Sequence, residues 1–116
     1  MAEWADVRTI ALSFPEVEES GEDRVAFRVR GKLFAWAARE RDGDGLGIRV
    51  ERDEKQLILD SNPDVYFSSP HYEGWPGVQI RLEAIGEDEL RGRREDAWLI
   101  QAPKRLATAY LEGRGG

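Results

Sequence analysis

The stretch from Pro63 to Val78 limits the fold more than any other part of the chain. It carries Pro63, Pro70 and Pro76, the glycines Gly74 and Gly77, the single histidine His71, and four of the eleven aromatics: Tyr66, Phe67, Tyr72 and Trp75. Proline removes a backbone donor and fixes φ, so no continuous helix passes through this stretch. It reads as a shaped loop between short strands, anchored by its aromatic side chains. Everything else has to be arranged around a β-rich centre.

The flanking segments supply that centre. Val25 to Arg30 and Lys32 to Ala38 alternate apolar with polar residues, and Arg30-Gly31 between them is hairpin chemistry. Pairing Val29 with Lys32 sets Phe27 against Phe34 and Val25 against Trp36 on a core side, leaving Arg28, Leu33, Ala35 and Ala37 opposite. Asp42-Gly43-Asp44-Gly45 is a second turn, followed by a strand over Leu46 to Val50. Val65 to Phe67 gives a fourth strand, and Gly77 to Ala84 a fifth, with Val78, Ile80 and Leu82 inward.

Helical signals surround these strands. Ala2 to Ser13 has Trp4, Val7, Ile10 or Ala11, and Phe14 at helical spacing, and Pro15 ends it. The acidic run Glu16 to Asp23 reads as a solvated connector. Asp53 to Asp60 is a short helix closed by Asn62-Pro63. Glu87 to about Gln101 carries Leu90, Ala97, Trp98 and Gln101 on one stripe. Pro103 opens a last helix over Lys104 to Leu111. The expected fold is a single α+β domain over residues 1–112, ordered α-βββ-α-ββ-α-α. It has one antiparallel five-stranded sheet, helices packed on one face, and a flexible tail at 113–116.

Composition narrows the function. With no cysteine, disulfides and thiolate chemistry are excluded, and one histidine makes a metal site a poor expectation. No leader pattern is seen at Met1-Ala2-Glu3-Trp4, and no apolar run approaches the ~20 residues that span a bilayer. A cytoplasmic protein without cofactor or membrane contact is expected. The net charge of −6 is unevenly spread: residues 1–23 carry one base and seven acids, whereas residues 24–50 carry seven bases and three acids. The first hairpin is therefore locally basic.

Strand alternation sends Arg28, Arg49, Gln79 and Arg81 to the face away from the core. An antiparallel sheet commonly has one solvated face, and arginines there can follow a phosphate backbone. The plainer reading is pairing with acids such as Glu51 and Glu83. Arg30 and Lys32 flank the hairpin tip as a wing, or simply keep an exposed turn polar. Lys104 and Arg105 sit unfavourably at a helix start, so an acid such as Glu95 or Asp96 is expected near them, and a phosphate there is an alternative. His71, Tyr72 and Trp75 form a candidate loop site, Tyr72 and Trp75 being the side chains expected to be partly exposed. His71 has no evident nucleophile or second carboxylate to work with, so no catalysis is assigned. Tyr66, Phe67, Tyr72 and Trp75 read either as a base-stacking platform or as core and loop anchors.

Five ordered blocks resemble one family. They are Ala26-Phe27-Arg28-Val29-Arg30-Gly31-Lys32-Leu33-Phe34-Ala35, Pro63-Asp64-Val65-Tyr66-Phe67, Pro70-His71-Tyr72 with Gly74-Trp75-Pro76, Val78 with Ile80-Arg81-Leu82, and Glu95-Asp96-Ala97-Trp98 with Ala102-Pro103-Lys104-Arg105-Leu106. Together they resemble the MmcQ/YjbR family of small bacterial proteins that carry a DNA-binding label, from about Ala11 to Tyr110. The resemblance implies one antiparallel sheet similar to the type III secretion-chaperone and double-wing arrangements. It implies DNA, or else a protein partner, as ligand, with a monomer or weak dimer and no catalytic residues to carry over. Arg24-Val25 and Trp75 depart from the pattern the family would show there.

Overall fold

The computed structural model describes residues 4–21, 25–39 and 43–115. Helix α1 spans Trp4–Leu12, and strands β1 (Val17–Ser20), β2 (Ala26–Val29), β3 (Lys32–Ala37) and β4 (Leu46–Arg49) follow. A 3-10 turn over Arg52–Glu54 leads into α2 (Lys55–Ser61). Then come β5 (Tyr66–Phe67), a 3-10 turn over Pro70–Tyr72, β6 (Gly77–Ile80), α3 (Glu87–Gln101) and α4 (Lys104–Gly115). All pairings are antiparallel, in one six-stranded sheet of order β1-β2-β3-β4-β6-β5.

The expected α+β domain with one antiparallel sheet is what forms, with one strand more than the five expected. Val17–Ser20, read as part of an acidic connector, pairs with β2 from Val17↔Val29 to Ser20↔Ala26. Its sequence, Val-Glu-Glu-Ser, lacks alternation because only Val17 is even half-buried and the other three residues are exposed. At a sheet edge, charge is tolerated and discourages further pairing. The expected helix start at Ala2, the lead-in Arg24, the rest of the acidic run at Glu22 and Asp23, and Asp42 lie outside the described residues. The last strand is also shorter than expected, ending at Ile80, although Leu82 and Ile85 beyond it are still buried. Helix α4 runs on through Gly115, where a tail was expected.

Arg30 and Gly31 both have positive φ, 50° and 82°, the primed-turn geometry that matches strand twist. Val29 pairs with Lys32 as expected, but the register shifts between Phe27 and Arg28. After that bulge Phe27 faces Ala35 and Ala26 faces Trp36, rather than Phe27 facing Phe34 and Val25 facing Trp36. One extra residue lets Phe34 and Ala35 both be buried and turns Trp36 to the opposite face.

The inner face is the core. Phe27↔Ala35↔Ile48↔Val78 forms one row across four strands, and Ala37↔Leu46↔Ile80↔Tyr66 the next. Helix α3 covers it with Leu90, Arg94, Ala97 and Trp98, and α1 adds Val7, Ile10 and Ala11. Acids fill the first turn of α3, at the positive end of its dipole. The Trp98 indole donates to the Pro15 carbonyl (3.1 Å) and packs in a triad with the rings of Phe14 and Tyr110, whose centroids lie 5.9 and 4.9 Å from it. Arg94 is fully buried on the same stripe. Its guanidinium lies over Phe27 at 5.0 Å and none of its nitrogens has a hydrogen-bond partner among the described residues. Burial pushes its pKa down to about 9.

Candidate nucleic-acid interface

The opposite face of the sheet is built on another plan. Directly paired positions run Ser20↔Ala26↔Trp36↔Gly47↔Gln79↔Phe67 across all six strands. Glycine in a strand interior forfeits packing and often marks close approach of another group. Here the group is an indole. A β-carbon on Gly47 would fall 2.1 Å from Trp36 Nε1, and one on Gly77 2.4 Å from the Trp75 ring. The two glycines are sockets for two tryptophans.

The 63–78 stretch supplies the cover, as the shaped loop its prolines and glycines require. Its 3-10 turn brings Tyr72 against the sheet, where the Trp36 indole donates to the Tyr72 hydroxyl at 2.7 Å. The Trp36, Tyr72 and Trp75 rings then pack mutually, with centroids 5.1 to 6.1 Å apart and mostly edge to face. That geometry suits aromatic quadrupoles. Two basic side chains pin the loop from behind. Lys55 Nζ donates to the carbonyls of Tyr72 (2.5 Å) and Trp75 (2.7 Å), and Arg52 donates to that of Gly74. Burial, and then Arg52, lower the Lys55 pKa against the opposing pull of Glu73.

The expected loop site divides accordingly. Tyr72, expected to be partly exposed, is buried, because its hydroxyl is the acceptor for Trp36. Trp75 stays 41% exposed. His71 is exposed on the 3-10 turn, directly before Tyr72. Tyr66 belongs to the inner face, where its hydroxyl donates to Glu89 and accepts from Arg93 Nε at 2.8 Å. Burial, reinforced by the Glu89 bond, pushes its pKa up to about 12.

The basic residues are partly gathered. Arg28 and Arg49 lie in the next outer row, Arg28 opposite Leu33 and Arg49 opposite Gly77, beside the Trp75 ring. Arg28 donates to Ser20 Oγ at 2.8 Å rather than to an acid. Arg81 lies on the outer face at the far edge, its guanidinium 4.1 Å from the centre of the Phe67 ring. Gln79, expected to be solvated, is fully buried under this cover and donates to the Asp44 carbonyl at 3.0 Å. At the hairpin tip Arg30 forms a bidentate pair with Glu16 at 2.5 and 3.0 Å, which lowers the Glu16 pKa, while Lys32 is exposed. Lys104 and Arg105 are exposed at the start of α4, while Glu95, one expected partner, accepts the Tyr110 hydroxyl at 2.7 Å. Sequence reasoning missed Trp36, Lys55 and Arg52 as parts of this face. The available signal was a pair of glycines, Gly47 and Gly77, at strand positions with an aromatic-rich loop nearby. Among the described residues, no three His, Cys, Asp or Glu side chains converge as a metal set, and no helix is long and apolar enough to cross a membrane.

Some known proteins are similar to this chain in sequence, and one solved structure is similar in fold. The uncharacterized proteins Rv2570 of Mycobacterium tuberculosis and Mb2600 of Mycobacterium bovis are each 36% identical to it over 132 aligned positions, covering 99% of this chain and all of theirs. The crystal structure of Deinococcus radiodurans DR2400, a protein with a DUF419 domain, superposes with a TM-score of 0.75 over 99% of this chain and 89% of its own. At 16% identity that likeness is one of fold. The family model YjbR matches residues 12–100, more than half of the length, and the chain belongs to the YjbR family.

Proposed function

We propose that the protein is a nucleic-acid-binding module of the cytoplasm whose outer sheet face takes single-stranded nucleic acid. A base stacks on Trp75, while Arg49 and Arg28 hold phosphates along the adjoining row. The observation that carries this reading is the 41% exposed Trp75 indole, seated over Gly77 opposite Arg49 and fixed by Lys55 and Arg52. A rigid exposed ring beside an arginine is the basic unit of sequence-tolerant single-strand binding, worth about 1–3 kcal/mol per stacked base. Buried Tyr72 and Gln79 support the face from below and make no contact with the ligand. The role is binding, with no reaction assigned.

A second reading, a protein-interaction domain, is favoured by one observation. Two of the basic side chains are already engaged, Arg30 with Glu16 and Arg28 with Ser20, on a chain of net charge −6. Fluorescence anisotropy of labelled single- and double-stranded oligonucleotides over a salt series separates the two. The nucleic-acid reading expects salt-sensitive binding that prefers single strands and is lost in Trp75→Ala with Arg49→Ser. Flat curves at low salt overturn it and leave the protein-partner reading standing.

A further inference from the structure

The helical side of the molecule holds a concavity. Helix α3 packs over β3 and β4, while α2 packs over β5 and β6. Neither covers the end of β4. A groove of about 310 Å³ remains there, floored by Ile48 and Val50 and walled by Ile58 of α2 and by Leu99 and Ile100 of α3. That volume lies at the small end of the range for sites that bind small molecules.

The rim carries both signs of charge, and Arg93 is already committed. Arg93 donates Nε to the Tyr66 hydroxyl and holds its guanidinium 4.9 Å from that ring, and Arg49 turns Nε toward the Val50 carbonyl at 3.4 Å. The carboxylates of Glu54 and Asp96 have no hydrogen-bond or ion-pair partner among the described residues. Asp96 also holds its proton more tightly than an ordinary aspartate. Burial is the main cause, and Glu95 and Glu54 add to it against the opposing pull of Arg93. A cation between Glu54 and Asp96 relieves that repulsion. A divalent ion is a poor fit, because much of the lining is apolar and hard cations require six or more oxygens.

We propose that the groove between α2 and α3 binds a small amphipathic amine, its ammonium between Glu54 and Asp96 and its apolar body on Ile58, Leu99 and Ile100. The small volume and the apolar side chains Ile58, Leu99 and Ile100 select against a polyamine, which has no compact apolar body to place there. The proposal gives no role to Trp75, Arg28 or Arg49, so it stands or falls apart from nucleic-acid binding.

The test is an amide-resonance titration of the full chain with 2-phenylethylamine, 2-phenylethanol and 3-phenylpropionate. The amine is expected to give saturable shifts at Ile58, Asp96 and Leu99, with the alcohol weaker and the carboxylate inert. The double change Glu54→Gln with Asp96→Asn is expected to weaken amine binding about fivefold to tenfold, as two partly screened ion pairs imply. Its spectrum should keep the wild-type dispersion. Ile58→Ala should weaken amine and alcohol alike, a loss the charge change does not produce. Equal binding of all three probes, retention of amine affinity in the double variant, or no saturable shift with the amine overturns the proposal.

Discussion

The two faces of one sheet are stabilised by opposite means. The inner face is filled by side chains of its own strands, Phe27, Ala35, Ile48 and Val78 in one row, and sealed by long helices. The outer face is emptied at Gly47 and Gly77 so that indoles can approach the backbone closely, and it is partly covered by one loop held by two basic side chains. The inner face exists to be buried, and its contacts are numerous and redundant. The outer face is an ordered surface left partly in water, where each tether is individually important. This contrast is why the outer face carries the binding proposal: rigidity without full burial is what a stacking ligand needs.

The largest test of the contrast is on the inner side. Trp98→Ala removes a buried ring that both donates to Pro15 and packs on Phe14 and Tyr110, and it should cost about 3–5 kcal/mol in denaturant unfolding. A cost under about 1 kcal/mol would mean the inner face is not the dominant core. Gly47→Val tests the outer socket. The added carbons displace the Trp36 indole and break its bond to Tyr72, for an expected loss of about 1–3 kcal/mol. Near-ultraviolet circular dichroism should change with it, and an unchanged spectrum would dissolve the distinction between the faces.

Arg94→Met works in the other direction. Replacing a buried, unpartnered guanidinium with a shorter apolar chain should raise stability by about 1–2 kcal/mol near neutral pH, the lost attraction to Phe27 and the space left behind offsetting part of the gain. The pH dependence has a definite sign. With a folded pKa near 9 and a higher unfolded value, the unfolded state holds more protons between them, so wild-type stability rises with pH through that window. The advantage of Arg94→Met should therefore shrink as pH climbs above about 9. An advantage that is constant with pH, or absent, would show that Arg94 has a partner in solution. The smallest effect is expected from Lys55→Gln, about 1 kcal/mol in global stability. Backbone exchange should nevertheless quicken through residues 68–76 and nowhere on the inner face.

Much of the inner face was legible in the chain. Period-two alternation located β2, β3, β4 and β6, and the Leu90, Ala97 and Trp98 stripe located α3, because burial against a flat partner imposes those periods. Arg94 escaped although it stands one turn from Leu90 and Trp98, because a charged residue at a core position has no sequence signature. β1 escaped because an edge strand need not alternate. A single bulge at Phe27 and Arg28 was enough to put Trp36 on the wrong face, since one residue of slip inverts every side chain after it. The family resemblance held, and it fixed the fold more closely than it fixed any ligand. The loop pins were unreadable, as Lys55 and Arg52 meet their acceptors across 17 to 22 residues of chain.

Resonance mapping decides whether the outer face is the binding surface. Isotope-labelled protein would be titrated at low salt with an unlabelled oligothymidylate of about ten nucleotides, within single-strand site sizes. The account predicts the largest shifts at the Trp75 and Trp36 indole N–H groups and at Arg49 and Arg28, with the inner-face amides still. Shifts confined to α4 or to the α2–α3 groove, or no shifts at all, would contradict it.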